Sequence, residues 1–179
     1  IGLPTSVLLA KAGHIVIGCD INKNLVKTIN EGKETISENN LNQYLGQVLS
    51  EGRFKAQTNL DNADIFLIAV PTPFLKNDDE IPQPNLEFVF DAAKQIAKYV
   101  KEGNLIIIES TIPVGTTEKV AKLIAHNSSL SLDKLAVAHC PERVLPGNIL
   151  EELVSNDRVI GALKEVDSER FKNFYSTFC

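Results

Sequence analysis

The chain has 179 residues, 44% of them hydrophobic and 23% charged, and its formal net charge at pH 7 is −5. That length and balance are typical of one globular domain and exclude collagen and low-complexity disorder. No apolar run approaches the roughly 20 residues of a membrane-spanning helix, so we expect no membrane partner. The acidic balance, without a basic stripe, argues against a nucleic-acid partner.

The chain contains three cysteines and no methionine. Cys19, Cys140 and Cys179 are too few and too widely spaced for a disulfide framework. No charged segment followed by an apolar segment marks the chain for secretion, so we expect a cytoplasmic protein. The missing methionine and the abrupt start at Ile1 and Gly2 indicate a piece of a longer protein.

The first third of the chain alternates between helical and extended patterns. In chain order these patterns predict a helix over 4–12, a strand over 15–19, helices over 24–30 and 41–49, and a strand over 54–57. Pro4 lies in the first helical turn, where its missing N–H costs little. Gly13 and Gly32 are the expected ends of the first two helices.

Buried strands dominate the rest of the chain. A continuous apolar run over 65–70 predicts a parallel strand covered on both faces, and Pro71-Thr72-Pro73 ends it. We expect a polar loop over 77–84. The patterns then predict a helix over 86–100, a strand over 105–108, a helix over 116–124, strands over 135–138 and 159–160, and a helix over 170–178.

Strands that alternate with helices predict a doubly wound, mostly parallel, Rossmann-like α/β sheet. In this fold the ligand lies beyond the carboxyl ends of the strands. Gly2 precedes a helix and fits the third glycine of G-x-G-x-x-G, whose first strand is missing from this chain. Asp20 follows the next strand, where a carboxylate accepts from a ribose hydroxyl and repels a 2′-phosphate. These two residues favour NAD over NADP, although the same pair also occurs by chance in α/β proteins.

Three longer motifs follow predicted strands. They are Val70-Pro71-Thr72-Pro73, Glu-Ser-Thr-Ile-Pro-Val-Gly-Thr-Thr at 109–117, and Cys-Pro-Glu-Arg-Val-Leu-Pro-Gly at 140–147. Together with Gly2-Leu3-Pro4-Thr5 they resemble the UDP-glucose/UDP-N-acetylmannosamine dehydrogenase family along the whole chain. The third motif, with arginine at its fourth position, resembles the motif of the family's N-acetylhexosamine branch. The resemblance implies that residues 1–179 are a truncated N-terminal dinucleotide-binding domain, without the central helix and the C-terminal UDP-sugar domain.

The resemblance also implies roles for individual residues. It implies NAD as the cofactor, held by Ile1, Gly2, Asp20, Thr72 and Thr111. Thr111 and Glu142 are the implied catalytic residues, which orient a water near the reacting carbon. Arg143 and Val144 are implied to contact the UDP-sugar, because a guanidinium fork suits phosphate or a sugar carbonyl.

Most of these residues also have a plainer structural interpretation. Thr72 ends a strand, and Glu142 is otherwise an ordinary surface carboxylate. Thr116 and Thr117 are expected to cap a helix, and Cys140 to behave as a small buried hydrophobe. We expect no metal site, because His139 and its neighbour in the strand point to opposite faces.

The implied reaction is NAD-dependent oxidation of the C6 hydroxyl of a UDP-N-acetylhexosamine, with N-acetylmannosamine favoured, to the uronic acid. The family's nucleophilic cysteine and its lysine partner lie in a later region, so we expect the chain alone to be inactive. The parent enzyme is expected to be a homo-oligomer. Two alternatives remain: an NAD-dependent hydroxyacid-type dehydrogenase, which leaves the 140–147 motif unexplained, and a nucleotide-binding module without catalysis.

Overall fold

The computed structural model describes residues 1–33, 35–75 and 81–179. These residues form seven α-helices: α1 (Gly2–Lys11), α2 (Lys23–Asn30), α3 (Leu41–Ser50), α4 (Glu87–Ile96), α5 (Thr116–Asn127), α6 (Ile149–Ser155) and α7 (Ser168–Tyr175). They form six strands: β1 (Val16–Cys19), β2 (Phe54–Gln57), β3 (Ile65–Ile68), β4 (Leu105–Ile108), β5 (Ala136–His139) and β6 (Gly161–Ala162). Short 3₁₀ turns cover Leu132–Lys134 and Glu165–Asp167. None of the helices in these ranges is long and apolar enough to cross a membrane.

The described residues divide into two compact units. The first comprises Ile1–Asp61, Arg143–Asp157 and Asn173–Cys179, and the second comprises Asn62–Glu142 and Arg158–Lys172. In the first unit β1 pairs with β2 in parallel. In the second unit the strand order is β3-β4-β5-β6, parallel except for β6, which pairs antiparallel with β5. Helices alternating with mostly parallel strands confirm the predicted α/β fold class.

The core of the first unit is built on one face of α3. Leu41, Leu45 and Val48 recur at helical spacing, and each has a relative exposure of 0%. Asn30 at the end of α2 donates to the Ala56 carbonyl and accepts from the Ala56 N–H, both at 2.8 Å, which fixes α2 on β2. Helices α1, α2 and α6 complete this core with Val7, Leu8, Ala10, Val26, Ile29, Ile149, Leu150 and Leu153.

The core of the second unit surrounds β4. All four residues of β4 are buried, as the continuous apolar pattern predicts for a central parallel strand. Helices α4 and α5 contact each other and lie against β3 and β5, respectively. They bury Val89, Ala93 and Ile96 of α4 and Val120, Ala121 and Ile124 of α5. This packing holds the carboxyl ends of β3, β4 and β5 in register.

Several predicted boundaries differ from the structure. The strands over 54–57 and 105–108 have the predicted bounds, whereas β3 ends at Ile68 and α4 ends at Ile96. The strand predicted over 159–160 is wrong, because β6 begins at Gly161. Helix α6 has no counterpart among the predicted elements. Of the loop predicted over 77–84, residues 77–80 lie outside the described residues, and Pro84 forms a bridge with Phe74.

Candidate functional site

Helix α1 presents its amino terminus as a site for an anion. The helix begins at Gly2 with Ile1 at its N-cap position, and its first turn contains no acidic side chain. Helix amino termini carry partial positive charge and unsatisfied N–H groups, which bind phosphates well. This end of α1 therefore fits the pyrophosphate of a dinucleotide.

Asp20 directly follows β1 and is fixed by the turn that leads into α2. Its Oδ1 accepts from the Asn22 N–H at 2.8 Å. Asn22 in turn caps α2, because its Oδ1 accepts from the N–H groups of Asn24 and Leu25 at 3.0 and 3.2 Å. The carboxylate is thus held at the carboxyl end of a parallel strand, which is the position that fits a ribose hydroxyl.

The cysteines beside these strand ends do not have the surroundings of nucleophiles. Cys19 Sγ donates to the Asn59 carbonyl at 3.2 Å. Desolvation by burial, and then the charge of Asp61, raises the pKa of the Cys19 thiol, while Lys55 opposes this shift. A raised pKa keeps the thiol protonated at neutral pH, and thiolates are the reactive form. Cys140 is buried. Both observations favour the structural interpretation of these two cysteines.

In the second unit one hydroxyl connects the carboxyl ends of β3 and β4. Ser110 is buried, and its Oγ accepts from the Val70 N–H at 2.9 Å and donates to the Val70 carbonyl at 2.8 Å. Val70 stands two residues before Thr72, and Ser110 stands directly before Thr111. The hydrogen bonds of Ser110 therefore set the spacing between the two segments that carry these threonines. They also explain why β3 ends before Val70, since the Ser110 side chain, rather than a neighbouring strand, forms the hydrogen bonds of the Val70 backbone.

Strand register directs Thr111 and Glu142 to one edge of the second sheet. Ile108 of β4 pairs with His139 of β5, and the Cys140 N–H continues the ladder to the Ile108 carbonyl at 2.9 Å. Thr111 and Glu142 each lie the same number of residues beyond that pair. Thr111 is exposed, while Glu142 is half-buried with its Oε2 inaccessible to solvent. A shielded carboxylate and an accessible hydroxyl at the same sheet edge are groups that can orient a water molecule.

A buried ion pair supports the end of β4. Glu109, which precedes Ser110, places its Oε1 3.7 Å from Arg158 Nη1, and the two side chains are 0% and 9% exposed. Glu109 begins the 109–117 motif, but neither Glu109 nor Arg158 has a role assigned from the sequence. The available signal is the position of Glu109 at the end of a fully buried apolar strand, where a carboxylate needs a charged or hydrogen-bonding partner.

The predicted sugar-contacting residues lie in the first unit, within a loop over 143–148. Arg143 is exposed, and its Nη2 donates to the Asp157 carbonyl at 2.7 Å. Asn156 Nδ2 donates to the Arg143 carbonyl at 2.9 Å. Val144 is partly buried against the core of that unit. The Arg143 guanidinium thus lies at the surface, while hydrogen bonds fix the backbone of the same residue.

The structure corrects the predicted cap of α5 and gives His139 a contact within the sheet. The N-cap of α5 is Gly115, with φ of 84°, and a glycine has no side chain with which to cap the helix. Capping by Thr116 or Thr117 is therefore wrong: Thr116 is the first residue of α5 and is buried. His139 Nε2 lies 3.2 Å from the Ser110 carbonyl, so its ring contacts the end of β4.

The structure distributes the predicted residues between the two units. Ile1, Gly2, Asp20, Arg143 and Val144 belong to the first, and Thr72, Thr111 and Glu142 to the second. In the first unit, a helix amino terminus without acidic residues and a carboxylate at a strand end are the features that a dinucleotide requires. Both fit NAD, and Asp20 disfavours the 2′-phosphate of NADP.

These features place the chain in the class of dinucleotide-binding α/β domains. The NAD binding domain of the UDP-glucose/GDP-mannose dehydrogenase family matches residues 1–179. The chain belongs to this family. The match confirms the family resemblance noted from the motifs and confirms NAD as the cofactor of this domain.

Relatives and solved structures agree with the family. The chain is 47% identical over 186 residues to UDP-N-acetyl-D-mannosamine dehydrogenase of Campylobacter jejuni, covering 99% of this chain and 45% of that protein. It is 45% identical over 186 residues to NDP-N-acetyl-D-galactosaminuronic acid dehydrogenase of Ralstonia nicotianae, covering 99% and 43%. The structure of UDP-D-ManNAc dehydrogenase from Pyrococcus horikoshii matches with a TM-score of 0.93 and 39% identity, covering 99% and 42%. The chain spans less than half the length of each.

Proposed function

We propose that this chain is the NAD-binding portion of a UDP-N-acetyl-D-mannosamine 6-dehydrogenase. The supporting observation is the similarity to such an enzyme over 99% of the chain at 47% identity. In the proposed reaction the C6 alcohol, two NAD⁺ and one water yield the carboxylate, two NADH and three protons. The complete enzyme is proposed to act in the cytoplasm as a homo-oligomer.

The residues of the first unit would bind the cofactor and the sugar nucleotide. NAD⁺, when bound, accepts the hydride that leaves C6. The amino terminus of α1 would hold the pyrophosphate, and the Asp20 carboxylate would accept from a ribose hydroxyl. Arg143 would direct its guanidinium fork to a phosphate or to the N-acetyl carbonyl, and Val144 would contact the substrate beside it.

The residues of the second unit would support the hydrolytic half of the reaction. Thr72 would lie against the cofactor, at the carboxyl end of β3. Thr111 and Glu142 would hold the water that releases the carboxylate product, with the Glu142 carboxylate accepting its proton. The covalent step needs a cysteine nucleophile, which we assign, with its lysine partner, to the part of the enzyme outside these residues.

A direct assay tests this function. The full-length protein would be incubated with NAD⁺ and, separately, the UDP-activated forms of N-acetylmannosamine, N-acetylglucosamine, N-acetylgalactosamine and glucose, with NADH absorbance recorded. We expect the highest kcat/KM with N-acetylmannosamine and two NADH for each sugar oxidised. Preference for UDP-glucose, or one NADH per sugar, would contradict the proposal. Residues 1–179 alone are expected to give no turnover, because they lack the assigned nucleophile.

The Asp20 assignment predicts a change in cofactor preference. Asp20→Asn keeps an acceptor for the Asn22 N–H but removes the negative charge, so NAD⁺ binding should weaken about tenfold, the loss of a charge-assisted hydrogen bond. NADP⁺ binding should strengthen, because the repulsion of its 2′-phosphate is removed. Calorimetric Kd values for both cofactors measure the change. Asp64→Asn, the same substitution at an exposed residue, is the control. Equal weakening of NAD⁺ binding and NADP⁺ binding would count against a contact between Asp20 and the ribose.

A further inference from the structure

We propose that Glu38 is a positioning residue that holds the 143–148 loop in its substrate-binding conformation. Glu38 lies between α2 and α3 and is only 7% exposed. The family motifs do not include it, and it has no assigned role in the reaction described above. The inference deepens the proposed function, and it rests on that function in assigning the loop to the UDP-sugar.

The Glu38 carboxylate binds the far end of the loop with both oxygens. Oε2 accepts from the Gly147 N–H at 2.9 Å, and Oε1 accepts from the Ile149 N–H at 2.8 Å. Asn39 adds a third contact, because its Nδ2 donates to the Gly147 carbonyl at 2.9 Å. Three hydrogen bonds thus connect two segments that are more than a hundred residues apart in the chain.

Gly147 makes this contact specific. Its φ is 97°, in the left-handed region that favours glycine. The peptide N–H of a residue in that conformation points where an extended backbone would not direct it. Glu38 is therefore matched to one backbone geometry at the end of the loop. Ile149 begins α6, so the same carboxylate also fixes where that helix starts.

The near end of the loop is fixed from a different direction. Leu145 N–H donates to Glu152 Oε2 at 2.8 Å, and Asn156 Nδ2 holds the Arg143 carbonyl at 2.9 Å. Both partners lie in or just after α6, so they move with α6. Glu38 and Asn39 connect this assembly to the segment before α3, whose face is anchored in the core. Loss of the Glu38 carboxylate would free the far end of the loop and the first turn of α6, while the core residues of α6 stay packed. The loop that carries Arg143 would then be held at its near end only.

A charge-neutral variant separates positioning from overall stability. Glu38→Gln preserves the size of the side chain but replaces one of its two acceptor oxygens with an NH₂ group. That group is a donor, so it cannot accept the hydrogen bond from the backbone N–H that it would face. The core residues of α3 are unchanged, so the unit should stay folded. Glu31→Gln is the matched control, because Glu31 lies in the same connecting region and is exposed.

The experiment uses the full-length protein and two measurements. Hydrogen exchange, followed in peptides covering 143–153, reports whether the loop is held. We expect the amides of Gly147 and Ile149 to exchange about tenfold faster in Glu38→Gln, as for the loss of one charge-assisted hydrogen bond. Steady-state kinetics should show a KM for the UDP-sugar raised by about the same factor, with the KM for NAD⁺ and kcat unchanged. Glu31→Gln should match the wild type in both.

The outcomes distinguish this inference from the function on which it rests. Unchanged exchange in Glu38→Gln would overturn the positioning role, and so would a parallel rise in both KM values. If the wild type oxidises no UDP-sugar while Glu38→Gln still frees the loop, the proposed function fails and the loop-holding role stands. Should Glu38→Gln not fold, Asn39→Ala removes the exposed third contact and should shift loop exchange and sugar KM in the same direction, by less.

Discussion

Replacing Glu142 with glutamine in the full-length protein should lower kcat by at least about a hundredfold, the usual loss when a positioned acid or base is removed. The substitution keeps the size of a side chain whose Oε2 is inaccessible to solvent, so the loop beside Thr111 should keep its shape. The substitution removes the negative charge and with it the ability to accept a proton from water. Single-turnover experiments with NAD⁺ and the UDP-sugar would measure the release of the carboxylate product separately from hydride transfer.

A control substitution separates catalysis from general damage. Glu118→Gln makes the same change at an exposed residue in the first turn of α5 and should leave kcat unchanged. In Glu142→Gln both NADH should still form in the first turnover, and the protein should retain the oxidised sugar as a covalently bound acyl intermediate, because only hydrolysis needs the carboxylate. If hydride transfer is lost along with hydrolysis, or if kcat is unchanged, the water-orienting role of Glu142 is wrong.

Elements with a strong local pattern were predictable from the sequence. The uninterrupted apolar run of β4 has few alternatives to a buried parallel strand, and the observed bounds are Leu105–Ile108. Helix α3 shows its three buried residues at helical spacing. The parallel sheet follows from the alternation of such strands with helices. For the same reason the strand register places Thr111 and Glu142 at one edge of the sheet, each three residues beyond the paired Ile108 and His139.

The elements that depend on distant contacts were not predictable in this way. Strand β6 has two residues, pairs antiparallel, and is defined by its neighbour β5 rather than by its own pattern. Helix α6 has seven residues, too short to be stable alone, and its start is fixed by Glu38 from far along the chain. The end of β3 depends on the Ser110 hydroxyl. In each case a contact from elsewhere in the chain determines the boundary: strand pairing for β6, and a polar side chain for α6 and for β3.

The same limit applies to the residues that support the site. Asp20 and Gly2 are visible because their positions relative to local elements are fixed by the dinucleotide-binding pattern. Glu38 and Arg158 are charged residues in segments with no strong pattern, and their burial becomes apparent only in three dimensions. A sequence therefore indicates candidate ligand-binding residues more readily than the residues that hold them in place.

Arg158→Met should lower the free energy of unfolding by about 3–5 kcal/mol, the cost of leaving a buried charge without its partner. Arg158 and Glu109 are 9% and 0% exposed, so water cannot easily replace the lost guanidinium. Methionine fills a similar volume, which limits the cavity term. The change would be measured in the full-length protein as a shift in the urea midpoint at constant slope. The end of β4, with Ser110 and Thr111, should loosen, seen as faster hydrogen exchange over 105–111.

Two further variants identify the charge as the cause. Lys134→Met breaks the Lys134–Glu102 ion pair, whose side chains are 48% and 61% exposed, and should leave the urea midpoint unchanged because solvent screens such pairs. The double variant Arg158→Met with Glu109→Gln removes both buried charges and should recover much of the lost stability, since replacing a whole buried pair is often nearly neutral. The contrary outcome is a decrease in the free energy of unfolding of the double variant that equals the sum of the decreases in Arg158→Met and Glu109→Gln measured singly. In that case lost packing, rather than an uncompensated Glu109 carboxylate, explains the effect, and the ion pair does not support this end of the sheet.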